Sequence, residues 1–271
     1  MLEVAGVRIE RQGRLLVDGV SFHAGAGELV ALIGPNGAGK SSLLKAVTGE
    51  WRDAGGRVEI AGRGRRRWAP RALARQVAVM AQSPQVGFDF TVAELVGRGR
   101  APHRGCSTPA RDRAIVGEAL AAVGLSGFGA RSVLELSGGE RQRVFLAKAI
   151  AQVTPAPGAL PGAGSLLLLD EPTSALDLAQ QAAAMGAARR IADNGAAVLA
   201  VLHDLNLAAS FADRVVVMTR GRLAADGVPE EVLTAERLSA WYDCSVCVDQ
   251  RSGDAVRLIS VAAFNLKTRS C

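Results

Sequence analysis

The 271-residue sequence is poor in aromatic side chains, which make up 4% of it although 49% of its residues are hydrophobic. Ala, Val and Leu must therefore do most of the packing of what can be a sizeable core, in one large domain or one domain with a subdomain. Long hydrophobic runs are missing too. The longest, "SLLLLD" and "GAAVLAVL", fall far short of the roughly 20 residues a membrane-spanning helix needs. They read as strands buried on both faces of a parallel sheet. The opening "MLEVAGVRIER" carries an acid at Glu3 and alternates like a strand, so no secretory signal is expected and the chain reads as cytosolic.

Lysine is scarce. Of 32 basic residues only Lys40, Lys45, Lys148 and Lys267 are lysines, so the net charge of +6 is carried almost wholly by arginine. That makes Lys40 informative, because a compact ammonium suits a phosphate where a planar guanidinium would not fit. The basic run "RGRRRW", residues 63–68, comes with neither stacking aromatics nor a recognition-helix pattern. It reads as a solvated turn after a strand, and no nucleic-acid partner is expected. Of the four cysteines, Cys244 and Cys247 form a CxxC with no second pair and no nearby histidine. That argues against a zinc set and for small, reduced side chains.

The first sixty residues alternate as strands and turns, and the third strand, "ELVALIG", runs into "PNGAGKSSLLKAVTG" with helical spacing after Lys40. Further strands are expected near Val58 and at residues 77–80. From about Phe88 to Gln152 the pattern turns helical, and strands return at residues 166–169, 197–202 and 215–218. An α/β sheet core with an inserted helical subdomain follows from that order. The segment "TPAPGALPGAGS", residues 154–165, reads as an exposed loop, and the last thirty-five residues as a few added strands.

"GPNGAGKS", residues 34–41, matches GxxxxGK[ST] between a strand and a helix, the context this motif requires. Glycines let backbone N–H groups turn toward phosphates, the helix N-terminus adds partial positive charge, and Lys40 reaches the outer phosphates. Ser41 offers a hydroxyl to Mg²⁺. A nucleoside triphosphate is the expected ligand. "SLLLLDEP" ends a buried strand on two acids that should point to opposite sides: Asp170 to hold Mg²⁺, Glu171 to act as general base toward water. His203 ends another apolar run, at the strand edge where open α/β sheets place ligands, within reach of a γ-phosphate. Gln82 follows a strand at the entrance to the helical part, where a neutral amide can touch both Mg²⁺ and the attacking water. "LSGGE" places Ser137, Gly138 and Gly139 before a helix. Those residues suit an anion site, and Ser137 with Glu140 also forms a capping-box pattern.

With these elements in this order, the chain resembles the ATP-binding-cassette ATPases. "GPNGAGKSS" looks like their Walker A loop, Gln82 their Q-loop, "LSGGE" their signature, "LLLLDEP" their Walker B, "SALD" their D-loop and His203 their switch histidine. The resemblance covers residues 1–235, with the helical subdomain at about 88–152 inserted and 236–271 as a C-terminal extension. It implies an α/β P-loop NTPase fold: a mixed, largely parallel sheet, an N-terminal antiparallel β part and an inserted α-helical subdomain. It implies ATP contacts at Gly34, Pro35, Asn36, Gly37, Ala38, Gly39, Lys40, Ser41 and Ser42, and in trans at Ser137, Gly138, Gly139 and Asp177. Mg²⁺ would be held by Ser41, Gln82 and Asp170, with Glu171, His203 and Gln82 catalytic. A head-to-tail homodimer with two sandwiched ATP molecules follows from the same likeness. One position departs: where such ATPases stack an aromatic on adenine, this chain reads "RIERQGRLL", with Gln12 near the place and no aromatic nearby. Arg11 or Arg14 are the candidates for a cation–π substitute.

A narrower likeness lies in "FDFTVAELVGRGRAPH" and the stretch from "HDLNLAASFADR" onward, which are similar to the ATPases of iron-chelate, heme and vitamin B12 importers. Within that group "WAPRALARQVAVMAQ" and the Pro/Gly-rich insertion are most similar to heme importers. The likeness implies two transmembrane permease subunits, a periplasmic heme- or chelate-binding protein, and a peripheral place on the cytoplasmic face of the inner membrane. Ferric siderophore and cobalamin remain the alternative cargoes.

Overall fold

The computed structural model describes residues 1–51, 53–82, 87, 89–156, 158, 161–162, 164–250 and 257–261. A four-stranded antiparallel sheet has the order β2 (Arg14–Ala24), β1 (Leu2–Arg11), β4 (Gly55–Ile60), β5 (Arg63–Gly64). A six-stranded sheet has the order β10 (Arg222–Gly227), β9 (Arg214–Thr219), β3 (Leu29–Ile33), β8 (Ala197–Val201), β7 (Leu166–Asp170), β6 (Val77–Met80). It is parallel throughout except for β10 at its edge. The helices are α1 (Lys40–Thr48), α2 (Pro70–Gln76), α3 (Val92–Gly97), α4 (Pro109–Ala122), α5 (Gly138–Val153), α6 (Leu178–Asp193), α7 (Leu205–Phe211), α8 (Pro229–Val232) and α9 (Ala235–Tyr242). A hairpin of β11 (Val246–Gln250) and β12 (Arg257–Val261) follows.

The central strands are apolar at every position because both faces are covered. Leu29, Ala31 and Ile33 of β3 face a core shared with α3 to α7, while Val30 and Leu32 face α1 and the antiparallel sheet. The same alternation splits β7 and β8 between the two cores. Each fully buried Leu or Val contributes about 1.5–3 kcal/mol, so register here is strongly specified.

The expected helical insertion is present but is not a detached lobe. Ile115 and Ala119 of α4 and Val144, Leu146 and Ile150 of α5 belong to the same core as the strand residues of β3, β6, β7 and β8. Arg100, 3% exposed, ties the region down. Its guanidinium pairs with Asp112 at 2.9 Å and donates to the carbonyls of Ala151 and Thr154 at the end of α5.

Three sequence expectations need correction. The 154–165 segment is not simply an exposed loop. Thr154 and Ser165 are buried, Pro161 accepts a bond from Asn194, and Gly162 bridges to Gly195, while residues 157, 159, 160 and 163 lie outside those described. The "RGRRRW" turn is only partly solvated. Arg65 lies against the end of α1, so close to Gly49 that a Cβ there would overlap its guanidinium, and a cation at a helix C-terminus is well placed. Finally, the first hairpin does have an aromatic beside it: Trp51 lies 4.8 Å from the Arg11 guanidinium, which also pairs with Asp53 at 2.8 Å. Arg11 is thus committed within the chain. The added C-terminal strands are present, docked on α7 through Asn206, whose amide donates to and accepts from the backbone of Ile259. Phe88, the expected start of the helical part, lies outside the described residues.

Candidate active site

Strand order alone brings the motifs together. β3, β8, β7 and β6 are consecutive neighbours in the parallel sheet, and their carboxyl ends lead into Gly34, His203, Asp170 with Glu171, and Gln82. Residues far apart in sequence therefore share one edge, the usual ligand edge of such sheets.

Gly34 opens the phosphate loop at φ +142°, and a Cβ there would lie 2.0 Å from the Met218 carbonyl oxygen on β9. Only glycine fits. Lys40 is 6% exposed, and its Nζ donates to the carbonyls of Gly34 at 2.6 Å and Pro35 at 3.1 Å, closing the loop on itself. Burial lowers its pKa, opposed by the charges of Glu171 and Asp170. Gly39 at the start of α1 supplies no side-chain cap, and the first turn holds no acid, so the helix end is left to bind an anion.

Asp170 ends β7, 9% exposed, and its Oδ1 has no hydrogen-bond partner among the described residues. Burial, then repulsion from Glu171, raises its pKa, against Lys45, Lys40 and a hydrogen bond from Ser41. A buried carboxylate oxygen without a donor, beside a serine hydroxyl, fits a hard divalent cation. Glu171 leaves the strand in the left-handed region at φ +52°, a conformation costing about 1–3 kcal/mol for a non-glycine residue. The two acids have different neighbours: Ser41, Lys40 and Lys45 for Asp170, Gln82 and His203 for Glu171. Glu171 Oε2 accepts from Gln82 Nε2 at 2.5 Å and Oε1 meets His203 Nε2 at 2.5 Å. Gln82 thus spends its nitrogen on Glu171. A cavity of about 390 Å³ is lined by Ser41, Lys45, Thr48, Ala81 and Asp170 among others.

The signature turn opens α5. Ser137 and Glu140 form the reciprocal capping box: the Glu140 N–H donates to Ser137 Oγ at 3.2 Å and the Ser137 N–H to Glu140 Oε2 at 2.8 Å. Asp177 caps α6, accepting from the Gln180 N–H at 2.8 Å. Two polar residues of this region lie outside the sequence motifs. Gln142, buried on α5, donates to the Glu171 carbonyl at 2.7 Å. Its helical spacing from buried Gly139 and Phe145 was the available signal. Tyr242 is the second: its phenol is pushed up to about 12 by burial and lies beside the backbone of Gly34.

A phosphate loop, a paired-acid strand end and a histidine along one parallel sheet edge define a P-loop nucleotide-hydrolase site. The family model for ABC transporters matches residues 17–174, and the chain belongs to that family. It is 45% identical over 248 residues to the "Hemin import ATP-binding protein HmuV" of Pseudomonas entomophila, covering 92% of this chain and 94% of that one. The protein of the same name in Streptomyces coelicolor is 46% identical, over 88% of this chain and 81% of the other. Among solved structures, a chain of an inward-facing ABC transporter described as of metal-chelate type superposes with a TM-score of 0.77 at 25% identity, covering 96% of each chain. A bacterial ABC cassette solved as a dimer shares the fold with a TM-score of 0.72 at 24% identity, covering 84% of this chain and 99% of the other.

Proposed function

We propose that the chain is the ATP-hydrolysing subunit of a bacterial heme importer. Two copies would work head to tail against two transmembrane permease subunits fed by a periplasmic heme- or chelate-binding protein. Among the described residues no helix is long and apolar enough to cross a membrane, so membrane attachment would come through the permease, at the cytoplasmic face. The observation that carries the chemistry is Glu171, held between Gln82 and His203 beside the phosphate loop. Its carboxylate takes the proton of the attacking water, Lys40 and the N–H groups of α1 hold the phosphates, and His203 and Gln82 orient the base. Ser41 and Asp170 are the residues that would hold Mg²⁺, which would neutralise charge developing on the phosphates. Ser137 to Gly139 act on the nucleotide of the partner copy, and Asp177 links the two sites. The domain limits that go with this reading are 1–235 for the ATPase domain, with 236–271 as its extension.

The cargo reading rests on the names of these two relatives, both hemin import ATP-binding proteins. Ferric siderophore or cobalamin is the second reading, favoured by the metal-chelate-type transporter among the structural neighbours. Reconstitution with the cognate permease and binding protein separates them: heme should stimulate ATPase and uptake, and stimulation by a ferric siderophore or cobalamin alone would overturn the cargo. Glu171→Gln should bind ATP and accumulate as a dimer while turnover falls at least about 100-fold.

A further inference from the structure

Gln142 is the buried polar side chain that the catalytic acid's own backbone depends on. It is 7% exposed and sits on α5, five residues after the Ser137 cap. Its Nε2 donates to the Glu171 carbonyl at 2.7 Å and to Ser174 Oγ at 3.3 Å, while its Oε1 accepts from the Ala175 N–H at 3.0 Å. Both ends of the amide are therefore spent on the turn that leaves β7. The Glu171 carbonyl also accepts from the Ser174 hydroxyl at 3.3 Å and the Ser174 N–H at 3.4 Å, both longer bonds than the one from Gln142. The Glu171 N–H is fixed from the opposite side by the Val201 carbonyl at 3.1 Å. A residue at φ +52° persists only where its surroundings over-determine it, and here they are β8 on one side and α5 on the other.

We propose that Gln142 is a positioning residue. By holding the backbone of Glu171 it sets where the carboxylate stands between Gln82 and His203, and it ties that carboxylate to the helix that begins at the signature turn. Motion of Ser137–Gly139 is then passed along the first turns of α5 to the base of the same chain, while the turn itself serves the partner's nucleotide. Each copy's base thereby senses engagement of the opposite site. This rests on Glu171 being the base.

The test is steady-state ATPase of the full-length chain, with nucleotide affinity and thermal unfolding followed alongside. Q142E retains the volume and the acceptor toward Ala175 but loses the donor, so it keeps the test open if Q142A folds poorly. Both variants should lower kcat about 10–100-fold and leave KM within about twofold, the size expected of a small misplacement of a catalytic group. In the E171Q background, adding Q142A should change the residual kcat by less than about twofold, because a residue acting through Glu171 has nothing left to position. Equal losses in both backgrounds, or a loss in KM alone, would overturn the proposal. Near-normal turnover of E171Q by itself would instead remove Glu171 as base.

Discussion

The chain has two glycine-rich turns at helix N-termini, and their glycines answer to different neighbours. In the phosphate loop the need is met inside the chain: Gly34 is left-handed and has no room for a Cβ beside Met218. At the signature, Gly139 is also explained internally, since a Cβ there would lie 2.8 Å from Gln180 Oε1 and 3.0 Å from the Ala175 carbonyl. Gly138 is not. Its Cβ would meet only Ala175 Cβ at 3.9 Å, an ordinary contact, and it lies within helix α5. Glycine disfavours helix, so a single chain would be better served by alanine there. Nothing among the described neighbours demands a bare backbone at position 138, and the proposed role of the turn at a partner's nucleotide would supply that demand.

The largest effect expected of any glycine follows from the first turn. Gly34→Ala drives a methyl into backbone, which has no flexible end to yield, and should cost more than about 4 kcal/mol. Thermal unfolding should show Tm lower by at least about 8 °C, with ATP binding lost. A variant with unchanged Tm would mean that the loop is not closed against β9.

Gly139→Ala and Gly138→Ala separate the two halves of the signature. Gly139→Ala must displace Gln180 and press on the Ala175 carbonyl, costing about 1–2 kcal/mol and lowering Tm by about 2–6 °C. Gly138→Ala should leave Tm equal or raise it by about 1–2 °C, yet cut ATPase at least about tenfold with ATP binding to the monomer intact. Full ATPase in Gly138→Ala would remove the partner's nucleotide as the reason for that glycine.

What could be read from the sequence followed from local pattern. The strands of "LVALI", "LLLLD" and "AVLAV" were legible because burial on both faces leaves no polar position, and the phosphate loop because its spacing is rigid. Glu171, one residue past its strand, and His203 and Gln82, two past theirs, are each legible from the strand ends, but their meeting is a consequence of strand order, which the sequence does not display. The rest depended on distant neighbours. Trp51 meets Arg11 across forty residues, Asn194 caps the 154–165 segment from β8's approach, and Arg65 finds the end of α1. Proline and glycine in "TPAPGALPGAGS" signal a turn but say nothing of what covers it. Gln142 was within reach, because its spacing from Gly139 puts it on the buried face of α5.

The smallest effect contrasts the acids of the two turns. Asp170 has its pKa raised from 3.8 by burial and by Glu171, so the fold favours its protonated form. Its contribution to stability is whole below about pH 4 and is lost as pH rises through the raised value; at neutral pH its charge opposes folding. Glu140 is the reverse. Hydrogen bonds from the backbone and side chain of Ser137 lower its pKa from 4.5, so its contribution is whole above that value and is lost as pH falls through the lowered one. Asp170→Asn should therefore raise the Tm of the nucleotide-free chain at pH 7.5 by about 2 °C, while Glu140→Gln should lower it by about 1 °C. Carried toward acid, the Asp170 difference should begin to close first, from the higher pH, and the Glu140 difference only below about pH 4.5. Melting curves of both variants from pH 8 to 4 check the order. An Asp170→Asn gain that is absent at pH 7.5 would show that the carboxylate already has its compensation within the chain, and would remove the reason for placing Mg²⁺ there.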